Sequence, residues 1–395
     1  MRILDLTDAY HPESGGIRTY LDRKVRFIRE STDFEHVLVV PGARDSDEVR
    51  GRTRKVEIAS PVIPGCASYR AMIRHGKLTA VLDAVRPDVI EIGNPYFQPR
   101  AARGFAGRCG LLAGFYHTDF PRAYVETAVK RVVGRKLASA AESAARRYAR
   151  WVHGRLGLNL VSSPVLARSL IAGGVSNVEL LPLGADVRTF HPGRRDPAWR
   201  REIGAGENDL VLVFAGRLDR EKRIDVLVEM VRRLPAALGT RLVLLGQGPE
   251  RRRWERAATA DPRLVVLPFE RDRARFARAL ASADVYVSAA RFETFGLSVV
   301  EAQASGLPVV GVGAGAMTDR VDESCGVLVP GLDPEAMARA VAGLADEERR
   351  RALGRIARCR VETELTWERT FTRLLGLYES RVRPADRRGR AVRSA

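Results

Sequence analysis

The feature that most restricts how this 395-residue chain can fold is a double series of short β-rich runs, each followed by a helical stretch. The first series comprises Ile3 to Leu6, His36 to Val40, Val56 to Ala59, Val89 to Ile92, Leu111 to Tyr116, Leu158 to Ser162 and Val178 to Leu181. Such alternation builds a parallel sheet with helices on both faces. It pauses at Leu183-Gly-Ala-Asp-Val-Arg-Thr-Phe-His-Pro-Gly, where Gly, Pro and charges replace periodic apolar residues, and a linker is expected there. The second series comprises Leu210 to Ala215, Arg241 to Leu245, Leu264 to Leu267, Val285 to Ser288, Val309 to Val312 and Val327 to Val329. The expected class is α/β, with two doubly wound parallel-sheet domains over residues 1–190 and 191–365. Residues 366–395 are expected to form a C-terminal helix, packing back toward the first domain, and a basic tail. Two tandem sheets of this kind present their strand C-termini to a shared cleft, the expected ligand site.

Charge is distributed unevenly. Residues 51–200 hold 24 Lys and Arg against 10 Asp and Glu, whereas residues 201–350 hold 22 against 23. A basic front half suits an anionic partner: nucleic acid, anionic lipid headgroups or an acidic substrate. A merely solvated, arginine-rich surface is the plainer alternative. No apolar run approaches the roughly 20 residues of a membrane span. The start, Met1-Arg-Ile-Leu-Asp-Leu, reads as a buried strand rather than a leader, so a cytoplasmic protein is expected. Cys66, Cys109, Cys325 and Cys359 are scattered, with no CxxC and no nearby histidine pair, which argues against a zinc site or a disulfide framework.

The chemistry-bearing stretch is Phe292-Glu-Thr-Phe-Gly-Leu-Ser-Val-Val-Glu-Ala-Gln-Ala-Ser-Gly-Leu-Pro-Val-Val310: a loop, a helix, a Gly stop and a strand. A helix starting near Gly296 leaves the amides of Phe295, Gly296 and Leu297 as helix-start donors for a phosphate or sugar oxygens. Glu293 sits before this helix and Glu301 within it; their eight-residue separation would be about 12 Å of rise if fully helical, so they cannot flank one bond and should contact different parts of one long ligand. Upstream, Gly216-Arg-Leu-Asp-Arg-Glu-Lys222 follows the first strand of the second series. Arg217 and Lys222 therefore lie at a strand C-terminus, where two cations can neutralise an anion. After the chain's first strand, the paired Gly15 and Gly16 let backbone amides approach an anion. His117, in Phe115-Tyr-His-Thr-Asp-Phe-Pro, closes a strand and is expected to face the cleft.

The Phe292–Val310 stretch resembles the E-x7-E segment of retaining glycosyltransferases with the GT-B fold, whose domains are Rossmann-like, and in particular glycosyltransferase family 4. The resemblance implies that Glu293 contacts donor-sugar hydroxyls, that the amides of Phe295, Gly296 and Leu297 serve sugar and diphosphate, and that Glu301 holds the ribose. Arg217 and Lys222 resemble the family's GR-x-x-x-x-K leaving-group clamp. Gly15 and Gly16 resemble its glycine loop, which touches donor phosphate. His117 matches a histidine facing the donor sugar, and His-Thr-Asp-Phe-Pro resembles members that glycosylate lipids. The acceptor-side candidates are Tyr10, Glu13 and Asp119. The implied reaction is hexose transfer, with retention, from a nucleotide-diphosphate sugar of GDP-mannose or UDP-glucose type to a membrane lipid or glycan. Base recognition is expected near Leu267-Pro-Phe-Glu-Arg271.

Asp45-Ser-Asp47 formally matches a metal-binding DxD but reads as a solvated polar loop, so no metal or other cofactor is expected. Gly311-Val-Gly-Ala-Gly-Ala316 fits a loose dinucleotide fingerprint, yet it comes late in its domain and reads as a tight turn. Tyr69 to Lys77 and the helical stretch Lys130 to Arg155, with Arg146, Arg147 and Arg150, could rest on an anionic bilayer. That would place the protein peripherally on the inner face of the cell membrane. No nucleic-acid partner is expected, because the basic patches lack interleaved aromatics and a recognition motif. The alternatives kept open are a nucleotide-sugar epimerase of the same fold and a non-catalytic sugar-nucleotide-binding protein.

Overall fold

Both series of apolar runs become sheets in the computed structural model, which describes residues 1–11, 15–63, 66–94, 99–117, 119 and 135–383. The chain divides into two units: Met1–Pro182 with the residues from Phe371 onward, and Leu183–Thr370. The first unit contains, in order, β1 (Arg2–Leu6), α1 (Gly16–Ser31), β2 (Glu35–Gly42), β3 (Ser46–Arg50), β4 (Thr53–Ala59), β5 (Val62–Ile63), β6 (Cys66–Arg70), α2 (His75–Val85), β7 (Val89–Ile92), α3 (Pro99–Arg103), β8 (Leu111–Tyr116), α4 (Arg135–His153), β9 (Leu158–Val161), α5 (Pro164–Ala172) and β10 (Val178–Leu180). Its sheet runs β10-β9-β8-β7-β1-β2-β4-β3, and every pair is parallel except β3 with β4.

β3 stands where the sequence predicts a polar loop. Its Ser-Asp-Glu-Val-Arg run has no apolar face to betray a strand; the backbone ladder with β4 makes it one. Charged side chains suit such an exposed edge because they discourage pairing with another chain. The Asp45 and Asp47 carboxylates serve this edge. Asp47 pairs with Arg54 at 2.5 Å, while Asp45 accepts from the Ala59 amide at 2.7 Å and pairs with Lys77.

The second unit contains α6 (Pro197–Glu202), β11 (Val211–Ala215), α7 (Ile224–Arg233), β12 (Arg241–Leu245), α8 (Arg251–Ala260), β13 (Leu264–Leu267), α9 (Arg273–Ser282), β14 (Val285–Ser288), α10 (Leu297–Ala304), β15 (Val309–Val312), α11 (Met317–Arg320), β16 (Gly326–Val329), α12 (Pro334–Ala342) and α13 (Glu347–Glu364). A last helix, α14 (Trp367–Glu379), carries the chain from this unit into the first. The sheet order is β13-β12-β11-β14-β15-β16, parallel throughout. Central β11 reads Val-Leu-Val-Phe-Ala because both its faces are covered. Ile224, Leu227, Met230 and Val231 of α7 and Met337 and Val341 of α12 pack into the same core, each fully buried aliphatic contributing about 1.5–3 kcal/mol. The stretch after Leu183 also packs within this unit: the Ala185 amide donates to the Leu365 carbonyl at 2.8 Å, and the Phe190 side chain is fully buried.

This sheet order positions the site. β11 lies between β12 and β14, so the chain leaves β11 toward one side and returns to the other with β14. Loops diverging from the C-terminal ends of two such strands leave a crevice, the usual ligand position in open α/β sheets. In the first unit, β1 occupies the equivalent place between β2 and β7.

Candidate functional site

The expected second-unit residues gather at the ends of β11 and β14. Beyond Ala215, Asp219 accepts from the amides of Glu221 and Lys222 at 3.0 and 3.3 Å, which closes a 3₁₀ turn, Arg220–Lys222. That turn directs Lys222 Nζ to 2.9 Å from Glu293 Oε2, with 17% of the Lys222 side chain and 19% of Glu293 still exposed. Burial alone would lower the Lys222 pKa, but the carboxylates of Glu293 and Glu221 outweigh it and raise it. Burial would raise that of Glu293; Lys222 and the Gly296 amide outweigh it and hold it below the ordinary range. The pair is therefore fully ionised at neutral pH. Arg217 is half exposed and contacts Asp219 at 2.5 Å and Glu221 at 3.8 Å.

Glu293 is held from three sides. Its Oε1 accepts from the Gly296 amide at 3.2 Å, so one of the expected helix-start donors is engaged by the loop's own carboxylate. Gly296 precedes α10 at φ +81°, a conformation that glycine adopts without the Cβ penalty. Behind the loop, the Ala316 amide donates to the Glu293 carbonyl at 2.8 Å, and a Cβ on Gly315 would lie 2.7 Å from that carbonyl oxygen. The glycine-rich turn after β15, read from sequence as a tight turn, therefore seats the Glu293 backbone. Tyr286 fastens the two halves of the site: its hydroxyl donates to the Ala215 carbonyl at 3.1 Å and lies 2.8 Å from Ser298 Oγ.

Phe295 is buried beneath the Arg320 guanidinium, 4.2 Å from its ring centroid, and its carbonyl accepts from Arg320 Nε at 3.2 Å. Burial lowers the Arg320 pKa to about 10. Leu297, half-buried, is the first residue of α10. Glu301 is 3% exposed and pairs with Arg273, the first residue of α9.

In the first unit, Gly15 and Gly16 open α1, and a Cβ on either would meet nothing within 4 Å among the described residues. Tyr10 donates to Asp22 at 2.7 Å beneath the cations of Arg18 and Lys55. Glu13 lies outside the described residues. Asp119 accepts from the Tyr116 hydroxyl at 3.1 Å and from Ser169 Oγ at 2.7 Å, so one oxygen ties it back to β8 and the other ties it to α5. The half-buried His117 ring stacks on Phe115 at 4.1 Å and meets Tyr20 edge-on at 5.7 Å. Burial, then the Lys24 cation, push its pKa down to about 3, opposed in part by Asp5.

Beneath His117 is a buried charge cluster that sequence reasoning missed. Lys24, wholly buried, lies 2.6 Å from Asp5 and 3.2 Å from Glu91, and it donates to the Tyr378 hydroxyl at 3.1 Å. His36 Nε2 lies 2.7 Å from Asp5, and the Tyr20 and Tyr378 hydroxyls bond Glu91. Asp5 and Glu91 are register partners on β1 and β7. Two acids side by side in a sheet interior need a cation, and acidic residues inside otherwise apolar strand runs are the signal that could have found it.

Residues 14–189 match the model described as Glycosyltransferase Family 4, and residues 209–347 match the model described as Glycosyl transferases group 1. The chain is 33% identical over 382 residues, 95% of each protein, to the GDP-mannose-dependent alpha-(1-6)-phosphatidylinositol dimannoside mannosyltransferase of Mycobacterium tuberculosis. The chain belongs to glycosyltransferase family 4. A GDP-mannose-dependent alpha-mannosyltransferase of Corynebacterium glutamicum is 27% identical, over 96% of this chain and 88% of that one. The sucrose-phosphate synthase structure from Thermosynechococcus elongatus superposes with a TM-score of 0.79 at 20% identity, covering 96% and 98% of the two chains. The fold of this family 4 enzyme is GT-B, and it is a glycosyltransferase that uses a nucleotide sugar.

Around Arg217 and Lys222 of this glycosyltransferase stand three carboxylates, Asp219, Glu221 and Glu293. Burial raises the pKa of Glu221, with Lys222 opposing and Asp219 adding to the rise. An anion entering here meets a largely buried Lys222, already charged and oriented by Glu293, and the half-exposed Arg217 beside it; preorganised cations of this kind can stabilise charge developing on a leaving group. Lys222 has three N–H donors, so it can hold Glu293 and an incoming oxygen together.

Proposed function

We propose that this enzyme transfers mannose from GDP-mannose to a hydroxyl of a membrane lipid or lipid-borne glycan, with retention of anomeric configuration. The observation that carries the reading is the Lys222–Glu293 pair, 2.9 Å apart at the ends of the two strands that flank the switch point, with Arg217 beside it. The mannose donor and lipid acceptor are supported by the names of the relatives, which are GDP-mannose-dependent and, for the mycobacterial protein, act on a phosphatidylinositol dimannoside.

In this mechanism the bond between the sugar C1 and the diphosphate oxygen breaks, and its electron pair leaves with GDP. Arg217, Lys222 and the amides at the start of α10 receive the developing charge. The acceptor oxygen attacks C1 on the face just vacated and passes its proton to the departing diphosphate. Glu293 accepts from sugar hydroxyls, Glu301 from the ribose, and neutral His117 positions the sugar. Gly15 and Gly16, lacking side chains at the start of α1, let a phosphate approach its amides closely. Arg217 and Lys222 carry the charge neutralisation here, so no metal is invoked.

Membrane association belongs to the same reading. Among the described residues no helix is long and apolar enough to cross a membrane. On α4, however, the exposed rings of Tyr148 and Trp151 stack 5.8 Å apart, with Arg103 over Trp151 at 4.1 Å and Arg147 and Arg150 exposed nearby. An aromatic and arginine face of this composition suits the headgroup layer of an anionic bilayer.

Incubation of the purified enzyme with GDP-mannose, with and without a phosphatidylinositol mannoside, followed by NMR of the product's anomeric proton, tests the whole reading. An acceptor-dependent α-mannoside supports it. A free, altered sugar nucleotide formed from donor alone would replace it with epimerase chemistry. Sedimentation with phosphatidylglycerol vesicles at low salt, and none with phosphatidylcholine vesicles, is the outcome the membrane reading requires.

A further inference from the structure

Two arginine–carboxylate pairs in the second unit differ in a way that separates scaffold from site. Arg200 and Asp284, 2.9 Å apart with 6% and 4% of their side chains exposed, lie before the N-terminal ends of β11 and β14. Arg200 also donates to the carbonyls of Ser282 at 3.1 Å, Gly206 at 3.2 Å and Asp209 at 2.6 Å, so it is spanned on every side by backbone. Arg273, the first residue of α9, and Glu301, in the second turn of α10, lie on helices that follow the opposite ends of the strands. Glu301 is sealed at 4% side-chain exposure while Arg273 remains 37% exposed. Among the described residues Glu301 is the only hydrogen-bond partner of Arg273. Its guanidinium is otherwise steadied by two aromatic faces, Phe190 at 4.8 Å and Phe276 at 5.4 Å.

An arginine that holds one buried carboxylate, rests on rings and stays open to solvent is built to orient that carboxylate toward a ligand rather than to brace the fold. We propose that Arg273 is the positioning residue of the ribose subsite: it fixes the Glu301 carboxylate so that the 2′- and 3′-hydroxyls of the donor nucleoside donate to it. The inference rests on the donor reading above. Without Arg273, a buried Glu301 would lose its charge partner and either take up a proton or turn away; both weaken its hold on hydroxyl donors. The effect falls on donor affinity, because the ribose is remote from the bond that breaks.

The test is a cycle of ligand against variant. Binding of GDP and 2′,3′-dideoxy-GDP is measured by calorimetry for the wild-type protein, Arg273→Gln and Arg273→Lys, with the matching UDP pair in parallel so that base identity does not decide the result. Removing the ribose hydroxyls should cost the wild-type protein about 10-fold or more in affinity, the size of hydrogen bonds to a charged group. Arg273→Gln should weaken the natural nucleotide about 10-fold and the dideoxy nucleotide by less than about 2-fold. It should raise the donor KM correspondingly, with kcat within about 2-fold. Arg273→Lys, which keeps a cation beside the buried carboxylate, should fall between the two and carries the test if the neutral variant does not fold. Equal weakening of natural and dideoxy nucleotides by Arg273→Gln, or no weakening of either, would overturn the inference while leaving the donor reading intact. Wild-type indifference to the ribose hydroxyls would instead remove the role given to Glu301, and the inference with it.

Discussion

Replacing Lys222 with alanine tests both what it holds and what it is for. The change removes one of two cations at the end of β11 and leaves Glu293, with a 19% exposed side chain, without its ammonium partner. Breaking a buried ion pair by deleting one member costs about 3–5 kcal/mol, and the low end, about 3, applies because both side chains still meet some solvent. On catalysis, losing one preorganised group that receives leaving-group charge should lower kcat by about 10²–10³. The two losses separate in Lys222→Ala/Glu293→Gln, which removes the stranded charge. Stability measured by denaturant titration should recover by most of that 3 kcal/mol. Single-turnover transfer should not recover.

The pH dependence carries an independent sign. In the wild-type protein the Glu293 pKa is depressed, so its contribution to stability is present above the unfolded carboxylate value and is lost as pH falls through the folded one. The Lys222 pKa is raised, so its contribution is present below the unfolded lysine value and is lost as pH rises through the folded one. The pair is thus indifferent to pH between the two ranges. In Lys222→Ala, burial acts on Glu293 unopposed by that cation and moves its pKa upward. The variant should therefore become more stable, relative to wild type, as pH falls from 8 to about 5. A folded Lys222→Ala enzyme with turnover within about tenfold of wild type would refute the leaving-group role, and an unchanged pH difference would refute the coupling to Glu293.

Gly315→Ala should reduce kcat and also lower stability by about 1–2 kcal/mol, because its Cβ would press to 2.7 Å on the Glu293 carbonyl and its φ of +60° disfavours a side chain; steady-state kinetics beside thermal unfolding separate the two effects. Lys24→Met strands Asp5 and Glu91 in the sheet interior and should cost about 3–5 kcal/mol in denaturant unfolding, whereas Arg147→Ala on the exposed face of α4 should stay within about 0.5. The His117 imidazole, with its pKa near 3, is neutral across the working range, so the rate profile should show no inflection from it between pH 5 and 8. Because this pKa is depressed, stability should decline as pH falls below the ordinary histidine value of 6.5, a slope that His117→Phe should lessen in paired unfolding measurements.

Much of the architecture was legible from apolar runs alone. Val89–Ile92, Leu111–Tyr116, Arg241–Leu245, Leu264–Leu267, Val285–Ser288 and Val309–Val312 begin and end where their runs do, because the strands of a parallel sheet packed between helices read as nearly continuous apolar runs, Glu91 being the marked interruption. β3 was illegible for the converse reason: an exposed charged edge has no apolar face, and only its partner β4 makes it a strand. At the site, the chemical types were readable. A glycine before a helix, a lysine after a strand and two glutamates at fixed spacing each announce a local geometry.

The engagements of those groups were not readable. Lys222 meets Glu293 across 71 residues, and Lys24 meets Asp5 and Glu91 beneath His117, because strand order and helix packing bring distant loops and sheet neighbours together. The engagement of the Gly296 amide by Glu293 and of both Asp119 oxygens by Tyr116 and Ser169 likewise depends on side-chain direction, which spacing leaves open. The amino-acid sequence by itself determined the two parallel sheets and the residue types at their strand ends, since periodicity and burial act locally. Only the tertiary structure decided which charges pair and which remain accessible. A buried charge takes its partner from whatever the fold sets within about 3 Å, whatever the distance along the chain.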